Sequence, residues 1–503
     1  MKKFLPYIII TLFTLLPWYK LLWQVPLGEG YYYFDIQQNF SIKDVGQTDN
    51  FAKIAFDILP FVFKDNIALY MAFQLFFMIL LNLVFYYFVK VFTKNNLISL
   101  TAAIFFAVSY IASFEMLGTG NYQRFLQRIP CLIPTFLSFI FLEKYLENRR
   151  TKDLLISIFL FILGLFMGHF STFLTSLFVI YPFFKLPFIK NLKALLTSFF
   201  LSITYLAINY LMISADHLKP EKGILDFINQ VGINVIFEKI ILQITNMIVP
   251  TFIIEKIASV SNPYTSTLIA ITLPLIALII LGGFLVKKKA YPLTKIYFFS
   301  ILIIPILLFL NLYLGKVDPG FNMHGYKYYF LPSYFINAED PLTVKGDRYY
   351  LVPYFFVAII FSVLLWSLFN KKDAKNTSKT YTYIAIFFLT FYSVYNTNNI
   401  WKGFDYLQPV SNITRNYINY TKSISNEFNK DTYIVVPRPL MWPSAFIRLF
   451  YGDPDMQFIL MEKDLEYAKN KHIPRQNLFL FDYDYKNNQV LDLTDQYRNE
   501  GKI

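Results

Sequence analysis

The sequence predicts an all-α polytopic membrane protein of about eleven transmembrane helices with a small extracytoplasmic α/β domain at its C-terminal end. Three observations lead there. Apolar residues make up 56% of the 503 and charged ones only 16%, with a mean hydropathy of +0.43, which an ordinary soluble domain of this length does not show. Apolar runs close to the roughly 20 residues needed to cross a bilayer recur as far as residue 395 and then stop. Basic residues gather in every second connection, as they do where short loops stay on the cytoplasmic face.

Lys2 and Lys3 precede the first apolar run, 4–23, and no small-x-small cleavage site follows it, so it reads as a retained first span. Further spans are expected at 67–89, 97–114, 129–146, 154–168, 172–186, 194–213, 265–286, 296–314, 351–369 and 381–395. The two segments around His169 are short, and two half-spans meeting inside the bilayer is one arrangement that fits them. Lys90 and Lys94, then Lys144, Arg149, Arg150 and Lys152, then Lys185, Lys190 and Lys193, then Lys287, Lys288 and Lys289, and finally Lys371, Lys372 and Lys375 mark alternate loops. That alternation puts the N-terminus in the cytoplasm and makes loops 24–66, 115–128, 214–264 and 315–350 extracytoplasmic. It also accounts for most of the net charge of +13, so no nucleic-acid partner is implied. Cys131 is the single cysteine, which excludes an intramolecular disulfide and a cysteine-based metal site.

Within the outer loops, 50–63 and 224–250 carry apolar residues at helical spacing, as expected of helices lying along the interface. The division drawn from composition is a membrane domain over 1–395 and an outer domain over 396–503. In the latter, 432–437, 477–481 and 490–493 read as short strands and 462–469 as a helix. Pro437-Arg438-Pro439, Met441-Trp442-Pro443 and Arg448 either line a surface above the membrane cavity or belong to a structural cap.

The unusual polar chemistry falls on the outer side. Pro26-Leu27-Gly28-Glu29-Gly30-Tyr31-Tyr32-Tyr33-Phe34-Asp35 places two carboxylates and four aromatics where the first span leaves the membrane. A carboxylate in a half-dry cavity stays ionised while acting strongly as a base or a metal ligand. An ordinary polar loop with a tyrosine belt is the plainer reading of the same stretch. Arg124 and Arg128 precede the fourth span, and Arg348 with Tyr349 heads the tenth. Arginine grips phosphate bidentately and keeps its charge near lipid, and positive charge on this face runs against the topological bias. Snorkelling to headgroups is the alternative for any one of them. His169 is placed to bond a sugar, a phosphate or a loop acid, or to satisfy a partner within the bundle. His324 and Lys327 are weaker candidates of the same kind, and Glu115, at the end of the third span, is either a second cavity acid or a boundary residue. Carboxylates suit Mg or Mn, but no spacing specifies a metal site, and no nucleotide-binding, His-Glu-x-x-His or Gly-x-Ser-x-Gly pattern is present.

The span pattern, the acidic first loop, the Arg348-Tyr349 pair at the head of a late span and the outer C-terminal domain together resemble the membrane-embedded glycosyltransferases of the GT-C fold. In that family the first-loop motif is an acidic pair followed by tyrosines; here Gly28-Glu29-Gly30-Tyr31-Tyr32 keeps the second acid and lacks the first. The resemblance implies transfer of a sugar, with inversion, from a polyprenyl-phosphate donor to an unspecified acceptor. It implies Glu29 or Asp35 as base, and Arg348 with Arg124 or Arg128 on the departing phosphate. Two other classes fit part of the pattern. A transporter or flippase of a lipid-linked or anionic solute predicts internal repeats and ionisable groups at the bilayer midplane. A polymerase or ligase of lipid-linked glycans predicts dependence on outer arginines rather than on a first-loop acid.

Overall fold

A computed structural model of the chain describes residues 4–24, 66–109, 122–168, 170–187, 191–212, 223–248, 291–313, 351–369, 377–429, 431–437, 457–460, 474–484 and 486–500. It also describes isolated positions within 55–63 and 269–283. The described chain is mostly helical. Helix α1 (Leu5–Trp18) continues as a 3-10 turn through Trp23 and is followed by α2 (Ile67–Thr93), α3 (Asn96–Ala107), α4 (Tyr122–Asn148), α5 (Thr151–Met167), α6 (Phe170–Lys185) and α7 (Leu192–Met212). Then come α8 (Ile224–Val231), α9 (Ile233–Ile248), α10 (Tyr291–Tyr313), α11 (Leu351–Phe369) and α12 (Thr377–Ser423).

Among the described residues five helices are long and apolar enough to cross a membrane: Leu5–Trp23, Ile67–Thr93, Arg128–Asn148, Leu192–Met212 and Leu293–Leu310. Asn96–Ala107, Phe170–Lys185 and Leu351–Trp366 are shorter apolar helices. The span expected at 265–286 lies almost wholly outside the described residues, apart from scattered helical positions.

Local chemistry sets several boundaries. Lys94, at φ 54°, turns the chain out of α2, and the Asn95 side chain accepts from the backbone N–H groups of Leu97 and Ile98 at 2.9 and 3.1 Å, opening α3 directly behind it. Gly232, at φ +87°, occupies the left-handed region that separates α8 from α9, within the stretch expected to be one interfacial helix. Helix α4 begins at Tyr122, before the apolar run does, so Arg124 and Arg128 sit in its first two turns rather than in a loop.

The short segments around His169 double back on each other rather than meeting end to end. Phe161 of α5 packs on Phe178 of α6 with ring centres 4.7 Å apart, while Gly164 lies against Ser171. Buried hydroxyls bind these helices to their neighbours: Thr135 to Ser171 at 2.7 Å, and Ser157 to Tyr205 at 2.6 Å. Polar contacts between apolar helices are typical where the bilayer offers no alternative partner.

Ring contacts give the helix directions. Tyr7 packs on Tyr86 while the Thr14 hydroxyl accepts from Asn82, so α1 and α2 run antiparallel. Phe85 with Phe136, and Phe88 with Phe139, make α2 and α4 parallel. At one end of the bundle the buried Glu143 carboxylate takes Lys185 and the Tyr181 hydroxyl, and Glu147 takes Lys94. That is the end marked by the basic loops. At the other end lie Gln24, Ala107, Arg128, Phe170 and Leu351.

Helix α12 is 47 residues long, about 70 Å at 1.5 Å per residue, and runs without a break across the boundary drawn at residue 395. Its C-terminal turns pack on a four-stranded sheet of order β2-β1-β3-β4, formed by β1 (Tyr433–Val436), β2 (Gln457–Leu460), β3 (Leu478–Asp484) and β4 (Gln489–Asp492). β1 is parallel to both β2 and β3, and β3–β4 is an antiparallel hairpin. The three expected strands are found and β2 is a fourth. Helix α13 (Thr494–Glu500) closes the described chain, while the helix expected at 462–469 and the Met441-Trp442-Pro443 run with Arg448 lie outside the described residues.

Candidate functional site

The roots of the segments that carry the candidate residues meet at the end of the bundle opposite the basic loops. Trp18, at the end of α1, is buried; its indole N–H donates to the Ala107 carbonyl at 2.9 Å and its ring packs edge-on against Phe404 of α12. Phe106, the neighbour of Ala107, stacks on Phe355 of α11 with ring centres 4.2 Å apart. The last turn of α3 is therefore bracketed by the end of α1 on one side and by the first turns of α11 on the other. Glu29 lies five residues beyond Gln24, and Arg348 three residues before Leu351. Glu29, Asp35, Arg348, Tyr349 and His169 themselves lie outside the described residues, as do Glu115, His324 and Lys327.

Of the three candidate arginines, Arg128 is the one whose side chain is described. It is 5% exposed, and its guanidinium carbon stands 5.4 Å from the centre of the Phe170 ring, the residue after His169. A cation over an aromatic face in a dry setting is attracted by the ring quadrupole. The Cys131 thiol donates to the Arg128 carbonyl at 3.0 Å, which fixes the turn behind it. Arg124 belongs to the same helix one turn earlier.

Where the first loop begins, the chain is held by side chains that sequence reasoning passed over. Gln24, 3% exposed, takes an extended conformation directly after the 3-10 turn. Its amide nitrogen donates to the Phe404 carbonyl and to Gln408 Oε1, each at 3.4 Å, and the Ser411 hydroxyl donates to its Oε1 at 2.5 Å. Lys20 pairs with Asp405, and Arg415 donates to the Trp23 carbonyl. The signal was present as a polar stripe at helical spacing, Asp405, Gln408, Asn412 and Asn416, in a stretch read as the start of a separate domain.

A second missed group is on α9, which packs on α10 through Ile236 and Leu312. Lys239 is buried beside Glu238, and one turn on Gln243 is fully buried with neither end of its amide bonded to a protein group. Among the described residues no three His, Cys, Asp or Glu side chains gather as metal ligands would.

No known family's sequence model matches this chain, and no curated protein matches it. Among solved structures it is similar to the archaeal oligosaccharyltransferase AglB from Archaeoglobus fulgidus in complex with an inhibitory peptide and a dolichol-phosphate. The identity is 12% and the TM-score 0.43, over 96% of this chain and 70% of that one. At that score the likeness decides neither fold nor function.

Proposed function

We propose that the protein is an integral membrane glycosyltransferase of GT-C type that moves a sugar from a polyprenyl-phosphate donor to an extracytoplasmic acceptor. The observation that carries the reading is the bracket around the last turn of α3. The end of α1, which leads into the acid-bearing first loop, contacts Ala107, and the helix that follows Arg348 contacts Phe106. Buried Arg128 lies at the same end.

In the proposed reaction Glu29, or Asp35, takes the proton of an acceptor hydroxyl. The hydroxyl oxygen then bonds to the anomeric carbon as the bond from that carbon to the phosphate oxygen breaks, inverting the configuration. The leaving polyprenyl phosphate carries the electron pair away as an anion, and fixed positive charge at Arg348 and Arg128 or Arg124 stabilises it. His169 and Tyr349 complete the donor site. The donor's lipid lies between helices, and no nucleotide takes part.

The test is sugar transfer by purified protein in lipid, with a panel of polyprenyl-phosphate sugars and the variants Glu29→Gln, Asp35→Asn and Arg348→Ala. Loss of one general base is expected to lower kcat by about 10²–10⁴-fold in a folded variant. Full activity in both acid variants would overturn the mechanism. No transfer from any donor, with binding of a lipid-linked solute retained, would favour a transporter instead.

A further inference from the structure

We infer that Gln24 is a positioning residue for the first outer loop, and that Ser411 and Gln408 on α12 hold it. The reading of Glu29 as base is taken from the proposed function; the anchor itself is independent of it. Gln24 is the last residue before the loop, and its side chain is almost wholly buried at the point where the backbone changes from a 3-10 turn to extended. Each end of its amide is engaged: Nε2 with Phe404 O and Gln408 Oε1, Oε1 with the hydroxyl of Ser411, itself fully buried. Gln408 is oriented in turn by Asn412, to whose Oδ1 it donates at 2.9 Å. A polar side chain fixed at both ends inside a dry interface has one geometry, because every other leaves buried groups unpaired.

Two flanking contacts strengthen the junction. Lys20 and Asp405 pair across the same interface, and Arg415 puts a cation on the Trp23 carbonyl, at the negative end of the α1 helix and its 3-10 turn. Pro409 stands in the middle of the α12 segment and has no N–H to offer the Asp405 carbonyl. The helix therefore lacks one bond of its own ladder in the stretch that meets Gln24.

The consequence for chemistry follows from chain length. Five residues of extended chain reach at most about 17 Å, so Glu29 is tethered close to the anchor, whereas Asp35, eleven residues on, has a tether of about 37 Å. Fixing Gln24 therefore bounds the distance of Glu29 from the anchor more tightly than that of Asp35. The next turns of α12 hold the C-terminal sheet. Asn416 donates to the Tyr483 hydroxyl at 3.2 Å and to the Asn488 carbonyl at 2.8 Å, and Tyr420 to Asp492 at 2.7 Å. Loop root and outer domain are thus fastened to one stretch of one helix.

The experiment compares full-length protein in lipid with Gln24→Ala, Ser411→Ala and the conservative Ser411→Thr. Hydrogen exchange is read over residues 19–40 beside the kinetics of sugar transfer. Both alanine variants are expected to exchange faster over that stretch and to lose kcat by about 10- to 100-fold, with donor KM and the pH of the kcat midpoint unchanged, since the base is displaced but not altered. Ser411→Thr keeps the hydroxyl and is expected to behave as wild type in both readouts. Faster exchange with unchanged kcat would overturn the positioning role, and unchanged exchange would overturn the anchor itself. If the wild type transfers no sugar from any donor, the proposed function fails while the exchange comparison still decides the anchor.

Discussion

At the scale of single residues the least expected group is Gln243. A buried amide with no partner costs about 1–3 kcal/mol, so an evolved chain keeps one only where something compensates. Gln243→Met fills nearly the same volume without the polar atoms. It is expected to raise the protein's stability by about 1–3 kcal/mol, seen as a later thermal transition. An earlier transition would mean that the amide is satisfied in the folded protein. Arg128 is the converse case, a buried cation over the Phe170 ring; the sequence marks Arg124 and Arg128 as the charges directly before the fourth span, but not that α4 opens at Tyr122 and takes both in. The engagement of Gln24 was not legible. It depends on Ser411, nearly four hundred residues away, and nothing local marks a lone glutamine after Trp23 as buried.

At the scale of elements, the β3–β4 hairpin is what α12 grips, and Asp484 shapes its turn. The carboxylate accepts from the backbone N–H groups of Lys486 and Asn487 at 2.9 and 3.0 Å and from the Asn487 side chain at 2.6 Å. Asn488 then takes φ 55° and offers its carbonyl to Asn416. Those donors, the Asn487 backbone first, hold the Asp484 carboxyl below its usual range. A depressed folded value stabilises the turn above the unfolded pKa of about 3.9, and that contribution disappears as pH falls through the folded value. Exchange in β3 and β4, corrected for its intrinsic rate, is expected to be steady from pH 7 to 5 and to rise below about pH 4. Asp484→Asn should flatten that rise, and an undiminished rise in the variant would clear Asp484 of the role. The long helices were legible because length and hydropathy mark them without reference to anything distant. Strand β2 was not, since Gln457–Leu460 is four residues without alternation and pairs in parallel with β1 across a long crossover. The continuation of α12 past residue 395 was hidden by its polar composition. Its buried side is nonetheless periodic, through Ile400, Phe404, Ser411, Thr414 and Ile418.

At the scale of the whole molecule the two ends of the bundle differ in charge and in what they carry. One end gathers Lys94, Glu143, Glu147 and Lys185, while the other leads into the candidate loops. Helix α12 is more than twice as long as the roughly 30 Å hydrocarbon layer is thick, so it must leave the membrane, and the sheet rides on the part that does. If the basic end is cytoplasmic, the sheet is outside. The sole native thiol makes this directly measurable: Cys131 is fully buried and so blind to a membrane-impermeant maleimide. Lys486→Cys, on the exposed hairpin, is expected to label in intact cells, and Lys152→Cys, at the start of α5, only after the membrane is opened. The reverse pattern would turn the protein over and put Glu29 and Arg348 on the cytoplasmic face, where a reaction serving an extracytoplasmic acceptor has no place. Labelling of both from one side would break the alternation of spans from which the orientation is derived.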